Sequence, residues 1–230
     1  MNCIELTQLF NLGRPIDKDS DFSYLHLAYK YKLNNYKLIS SGELIVKGKN
    51  LNIPEYIIQF VLYNVEVLMI ASFIDTKVIN ITFRSIEGKK EFMKLGNTKA
   101  TFYGLGNLDT DFKYGNHIIL VEGHLDRDVM ANMFYKNTLA IMTNQLSKMQ
   151  VKLLESLTNN IILMLDNDEA GREGAKYIKH QLKGFKINEF FHSIYLKDAG
   201  DLLNLERVNK SEFRDTIDFY KNQLDLYLGR

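Results

Sequence analysis

Downstream of residue 115, short apolar runs alternate with segments of helical spacing. The runs are "HIILV" (117–121), "LAIMT" (139–143), "IILML" (161–165) and "FFHSIYL" (190–196). Between them "DVMANMFYK", "KMQVKLLESL" and "AGREGAKYIKHQLK" place apolar residues three and four apart, as one face of a helix does. Strands alternating with helices in this way predict βαβ units and a parallel sheet, an α/β fold. Ser147-Lys148-Met149-Gln150 has the spacing of a capping box, in which hydroxyl and carboxamide satisfy each other's backbone donors. Gly184 follows the third helix where a C-terminal glycine belongs. The tail "KSEFRDTIDFYKNQLDLYL" has helical spacing and is expected to pack on the side of the sheet.

The upstream pattern is different. "IELTQLFNLG" and "DFSYLHLAYKYKL" read as helices, the second behind an Asp21 cap and the first ending near Gly13. "EVLMIASFIDTKVINITFRSI" reads as two strands, at about 66–73 and 78–86, joined by a turn around Asp75-Thr76-Lys77. The expected organisation is an α+β subdomain over 1–110, a parallel-sheet domain over 111–203 and a helical tail over 204–230. No repeat or low-complexity linker separates them.

Composition narrows the partners and the compartment. The chain has 230 residues, 46% hydrophobic and 25% charged, enough for one large domain or two small ones. With 29 basic and 28 acidic residues the net charge is +1, so a nucleic acid must be held by a local patch. Cys3 is the single cysteine, which excludes a disulfide framework and a cysteine-rich zinc site. The start "MNCIELTQLF" carries no signal-peptide pattern, and no apolar stretch is long enough to span a bilayer. A soluble cytoplasmic protein with no membrane partner is expected.

In an open parallel sheet, ligands bind beyond the carboxyl ends of the strands. The first run ends in Glu122-Gly123, the third in Asp166-Asn167-Asp168 and the fourth in Lys197-Asp198-Ala199-Gly200-Asp201. An acid at a strand end is ordinary surface chemistry; acids at three strand ends on one rim are a coincidence that needs a cause. In an extended segment Asp166 and Asp168 point to one side, about 7 Å apart, while Asn167 faces away. Two like charges so placed repel unless a cation lies between them, either a lysine or a metal ion. A carboxylate set without cysteine or histidine matches the oxygen preference of Mg²⁺ or Mn²⁺, and such a site handles phosphates. His124 reads as an exposed loop residue and stays outside the set.

"EGHLD" (122–126), "DNDEAGR" (166–172) and "KD" (197–198) together resemble the three signatures of the TOPRIM domain in bacterial-type (DnaG-like) primases. The resemblance runs from about residue 66 to 203. "ITFRSIEGKKEFMKLGNTKATFYGLGNL" resembles the basic subdomain of the primase polymerase core, and Ser147…Gln150 stands at the family's Thr-x-x-Gln. The third signature departs from the common Lys-Asp-Pro-Asp: the second acid is displaced by one residue, so Asp198 carries over better than Asp201.

The resemblance implies a DNA primase core, joining ribonucleoside triphosphates into short RNA primers on single-stranded DNA with two or more Mg²⁺ or Mn²⁺ ions. Asp166, Asp168 and Asp198 would hold metal, and Glu122 would either coordinate or accept the attacking proton. Asp126 and Asp201 are further metal candidates, Asp126 also reading as a simple acid at a helix start. Nucleotide or template contacts would come from Arg84, Lys90, Lys94, Lys99 and Lys197, most of them in a basic strip interleaved with Phe83, Phe92, Phe102 and Tyr103. Lys197 and Arg172 are equally suited to pairing with a neighbouring carboxylate. No zinc-binding or helicase-binding domain is recognisable in these residues, so the expectation is either a minimal stand-alone core of phage or plasmid type or a catalytic subunit whose partner is a replicative helicase or a template-recognition subunit, in a bacterial or phage-infected cytoplasm. The same metal site also serves TOPRIM nucleases, and a non-catalytic nucleic-acid-binding accessory protein is the third alternative.

Overall fold

The computed structural model describes residues 37–39, 43–46, 49–52, 57–62, 65–74, 77–85, 92–96, 99–108, 117–194 and 196–230. The helices expected before residue 34 lie outside these residues, as does Lys90. The chain divides into two compact units, Met1–Thr101 and Phe102–Arg230.

The first unit contains β1 (Lys37–Ile39), β2 (Glu43–Val46), β3 (Lys49–Asn52), β4 (Ile57–Leu62), β5 (Val65–Ile74), β6 (Lys77–Ser85) and β7 (Phe92–Gly96). β2 and β3 form a hairpin, and the others make an antiparallel sheet in the order β1-β4-β5-β6-β7. The two strands read from the apolar pattern are β5 and β6, paired from Val67↔Ser85 to Ile74↔Lys77 with a register shift at Ser72/Phe73. A shift of this kind accommodates an extra residue and increases the local twist.

The second unit is built on β8 (His117–Val121), β9 (Thr138–Ala140), β10 (Asn160–Leu163) and β11 (Lys186–Glu189), all parallel, in the order β11-β10-β8-β9. Helices α1 (His124–Met133), α2 (Lys148–Leu157) and α3 (Glu169–Gln181) make the crossovers, and α4 (Leu202–Val208) and α5 (Lys210–Leu228) follow. β8 and β10 are continuous apolar runs because both faces are covered, as parallel strands require. Ile118, Leu120, Ile161 and Leu163 join Leu154 of α2 and Ala175 and Ile178 of α3 in one fully buried cluster. Their neighbours Ile119, Val121 and Ile162 turn to the other face, also buried, on which α1 lies. The chain moves from β8 to β9 on one side and then returns to place β10 and β11 on the other. The direction therefore reverses between β8 and β10, and the crevice at such a switch point is where a ligand is received.

Local signals act as read. Ser147 Oγ accepts from the Gln150 N–H at 3.0 Å while Gln150 Oε1 accepts from the Ser147 N–H at 2.9 Å, a closed capping box for α2. Gly184 has φ +101°, the left-handed conformation that ends α3's turn. The tail helix α5 spans the residues the periodicity marks, and Tyr220 on it packs against Phe134 and Phe190.

One element is misplaced by the pattern. "FFHSIYL" is not a strand among its described residues; the fourth strand is the preceding "KINE", and its pairing with β10 closes with the Phe190 N–H donating to Leu163 O at 2.9 Å. The apolar residues that suggested a strand do not serve the sheet: Phe191 and Ile194 are 61% and 87% exposed. An edge strand needs only half-covered positions, so its polar sequence carries no apolar run. Asp198 therefore reaches the rim on a loop and not at a strand end.

Candidate metal centre

Glu122 follows β8 directly, and Gly123 is the extended N-cap of α1. Past the end of β10 the main chain stays beside β8: the Met164 N–H donates to Leu120 O at 2.8 Å, and the Asp166 N–H donates to Glu122 Oε1 at 3.2 Å. The Glu122 carboxylate thus continues the ladder where the two strands separate. Asp168 is the N-cap of α3, its Oδ1 accepting from the Gly171 N–H at 2.9 Å. Asp126 is the third residue of α1 and reaches in two directions, Oδ2 accepting from the Gly123 N–H at 3.1 Å and Oδ1 from the Gly200 N–H at 2.9 Å.

The loop carrying Lys197 and Asp198 is tied to the same rim. The Asn167 N–H donates to Lys197 O at 2.6 Å. Asp198 caps a 3-10 turn over Ala199–Asp201, its Oδ1 accepting from the Asp201 N–H at 2.9 Å, and Asp201 Oδ2 accepts from the Lys197 N–H at 3.2 Å. The Lys197 ammonium lies 2.9 Å from Asp168 Oδ2 and 3.1 Å from Asp166 Oδ2. Both aspartates therefore present their carboxylates to a single cation, and Asn167 contributes its backbone.

The electrostatics follow from burial and from carboxylates near one another, with one ammonium shared by Asp166 and Asp168. Desolvation, aided by the charges of Asp166 and Asp168, pushes Glu122 up to about 7. Burial first, and then the Asp198 charge, raises Asp126. Asp166 is raised chiefly by desolvation, against the pull of Lys197, while Asp168 is lowered by the Gly171 N–H and then by Lys197. Its hydrogen bonds to Asp168 and Asp166 raise the Lys197 ammonium above its ordinary value. A rim that binds protons this readily is short of positive charge.

The donors offered are all carboxylate oxygens, which suit a hard divalent cation in type and in charge. Among the described residues no three of His, Cys, Asp or Glu are gathered closely enough to hold an ion as they stand, and Lys197 takes the place between Asp166 and Asp168. Asp166, Asp168 and Asp198, with Glu122, are the carboxylates this rim offers.

Other candidates fall elsewhere. Arg84 lies on β6 opposite Leu68 and Phe92, Lys94 on β7 opposite Thr82, and Lys99 is exposed in a turn, all in the first unit. His124, read as an exposed loop residue, is instead the buried first residue of α1, its ring edge-on to Tyr103 at 4.7 Å. The helix begins four residues before the segment that the spacing marks, because Gly123 serves as cap.

Two groups have no signal in the sequence. Arg127 and Asp128 form a buried ion pair at 3.0 Å, Tyr103 Oη donates to Asp128 Oδ2 at 3.1 Å, and Arg127 Nε donates to Thr138 O at 3.2 Å. They join the chain at Tyr103 to α1 and β9. The second group, His192 and Tyr220, meets at 2.6 Å across 28 residues.

Residues 119–203 match the family model described as Toprim-like. This part of the chain is a Toprim-like domain. Two relatives extend the comparison beyond it. A Mycoplasma genitalium protein described as uncharacterized is 31% identical over 145 residues, 60% of this chain and 65% of the relative. A DNA primase of Borreliella burgdorferi is 24% identical over 162 residues, 66% of this chain and 31% of that protein. The chain thus spans just under two thirds of the first relative and about a third of the second. Among solved structures, the primase fragment of the bacteriophage T7 primase-helicase protein matches with a TM-score of 0.55 at 16% identity, covering 80% of this chain and 79% of that one. A DnaG catalytic core matches with a TM-score of 0.52 at 15% identity, covering 94% and 78%. The Toprim-like domain thus has the α/β fold of primase catalytic cores, followed here by a C-terminal helix. Among the described residues no helix is long and apolar enough to cross a membrane.

Proposed function

We propose that this chain is a DNA primase catalytic core that synthesises short RNA primers on single-stranded DNA. The observation that carries the reading is the meeting of Glu122, Asp166, Asp168 and Asp198 around the β8/β10 crevice of a Toprim-like domain. The likeness to a DNA primase and to primase cores supports nucleotidyl transfer over other uses of such a rim. Bound Mg²⁺ or Mn²⁺, held by Asp166, Asp168 and Asp198, would activate the attacking hydroxyl and neutralise charge on the transferred phosphate and departing pyrophosphate.

The chain's own groups supply the remainder. Glu122, with its carboxyl pushed up to about 7, is suited to take the proton of the attacking hydroxyl at its free carboxylate oxygen. Asp126 and Asp201 brace the loop through Gly200 and Lys197 and are the outer candidates for ligation. Lys197 keeps Asp166 and Asp168 compatible until a stronger cation arrives, and then offers its ammonium to a phosphate. Arg84, Lys90, Lys94 and Lys99 are proposed to track the template or the incoming nucleotide by charge. A helicase or a template-reading subunit would supply choice of template in the bacterial cytoplasm.

The test is an incubation of the chain with single-stranded DNA, the four ribonucleoside triphosphates and Mg²⁺ or Mn²⁺. Short RNA products that disappear in Asp168→Asn are expected. Degraded template without synthesis would replace the reading with a metal-dependent nuclease, and binding without either would leave an accessory module.

A further inference from the structure

Among the described residues, Met142 is the one residue other than glycine with a positive φ, +60°. The left-handed region crowds a side chain against its own backbone, so a residue stays there only where its surroundings hold it. Strain of this kind is kept where a fold uses it, and often beside a functional site. Met142 lies two residues past the end of β9, and its side chain is buried. The turn it makes meets the end of β8, where Glu122 emerges.

The hydrogen bonds at this turn are unlike those of the sheet. In a regular parallel ladder, alternate residues of a strand bond one neighbour. Here two consecutive residues do so: the Ile141 N–H donates to Val121 O at 2.9 Å, and the Met142 N–H donates to Glu122 O at 2.9 Å. The chain has turned to follow β8 one residue beyond Val121, its last paired position. The peptide that makes the second bond is held at both ends, because its carbonyl, Ile141 O, accepts from Nε2 of the fully buried Gln150 at 3.4 Å. The N–H and C=O of a planar trans peptide point in opposite directions, so Gln150 helps aim the Met142 N–H at Glu122. The Glu122 carboxylate is engaged separately, Oε1 accepting from the Asp166 N–H at 3.2 Å. β8 lies between β9 and β10, so Glu122 is gripped from both neighbours, by its main chain on one side and by its side chain on the other.

We propose that Met142 is a positioning residue for Glu122: its left-handed turn, pinned by the buried side chain, holds the Glu122 main chain where the carboxylate reaches the Asp166 N–H. A glycine would take up the same φ without strain but would not be held in it. Methionine bears the strain and supplies the anchor. The consequence for catalysis rests on the primase reading above, whereas the positioning itself does not.

The test is amide hydrogen exchange by NMR on the metal-free full chain, comparing the parent with Met142→Gly, Met142→Leu, Glu122→Ala and the double variant Met142→Gly/Glu122→Ala. Met142→Gly removes the anchor while leaving the left-handed turn accessible, so no backbone clash opposes folding. Met142→Leu keeps a buried side chain of similar volume. Exchange at Asp166 is expected to accelerate roughly five- to tenfold in Met142→Gly and in Glu122→Ala, about what the loss of one hydrogen bond of ordinary net strength produces. It should stay near the parent rate in Met142→Leu, and the double variant should add nothing beyond Glu122→Ala, as for residues acting in series. The Met164 N–H, bonded to Leu120 O beside the same two strands, is the control for general loosening. An Asp166 amide that exchanges in Met142→Gly as in the parent overturns the proposal, as does equal acceleration at Met164 or simple addition in the double variant. Primer synthesis on single-stranded DNA with ribonucleoside triphosphates and Mg²⁺ should fall in Met142→Gly and recover in Met142→Leu. A parent chain that makes no RNA would instead remove the primase reading, with the exchange data still deciding the positioning.

Discussion

Gly171 approaches the carbonyl oxygen of Asp166 so closely that a β-carbon added to the glycine would stand 2.0 Å from it. The obstacle is backbone, which cannot swing aside as a side chain does, so the glycine allows α3 to begin directly against the carboxylate-bearing segment. Gly171→Ala is expected to destabilise the protein by about 2 kcal/mol or more, at the upper end of overpacking costs, and to pull Asp168 out of its capping position. Urea unfolding measures the first effect and Mn²⁺ affinity the second. A change below about 0.5 kcal/mol, typical of surface substitutions, would show that the approach is not a constraint.

Lys197 is the counterion of Asp166 and Asp168, so it competes with any divalent ion for them. Lys197→Met keeps the length of the side chain and removes the charge. Mn²⁺ affinity should rise by a few-fold, in line with the modest strength of half-exposed ion pairs. On the proposed primase reading, primer synthesis should nevertheless fall, because the ammonium would be lost to the phosphates. Weaker Mn²⁺ binding in Lys197→Met would show that the lysine organises the site and does not compete for it.

Proton affinity at the rim fixes the direction of the pH dependence. Glu122 is raised from 4.5 to about 7 and buried Asp128 from 3.8 to about 6, with Asp126 and Asp166 shifted the same way. Over about pH 4.5 to 7 the folded chain therefore holds protons that the unfolded chain has released, and stability falls as pH rises. Asp168 is lowered, and its contribution is lost only below that window. In EDTA the melting temperature should thus be several degrees higher at pH 5.5 than at pH 7.5, at roughly 2–4 °C per kcal/mol for a chain of this size. Mg²⁺ should restore the loss at pH 7.5 by binding the deprotonated rim. A metal-free melting temperature that climbs from pH 5.5 to 7.5 would contradict the crowding described here.

Gln150 has two tasks, closing the capping box on Ser147 and donating from Nε2 to Ile141 O at 3.4 Å from a fully buried position. Ser147→Ala should cost about 1 kcal/mol, the usual value of an N-cap. Gln150→Ala should cost more, because it also vacates core volume and leaves the Ile141 carbonyl to its longer bond from Thr143 Oγ1 at 3.5 Å. Equal losses in chemical denaturation would reduce Gln150 to its cap alone.

The α/β alternation, the capping box and the strand-end acids Glu122, Asp166 and Asp168 are all visible in the order of residues. Each is a local feature: periodicity, a three-residue spacing, or a charge where an apolar run stops. The fourth strand has no local mark because an edge strand carries no apolar run, while Phe191 and Ile194 make one that the sheet does not use. The burial of His124 has no local mark either, because its contact with Tyr103 is settled by a segment 21 residues upstream. Whether the partner between Asp166 and Asp168 is Lys197 or an ion, and whether the turn at Met142 reaches the Glu122 carbonyl, are matters of contact between distant residues. Local sequence fixes where side chains emerge from an element; which side chains meet depends on how the elements pack.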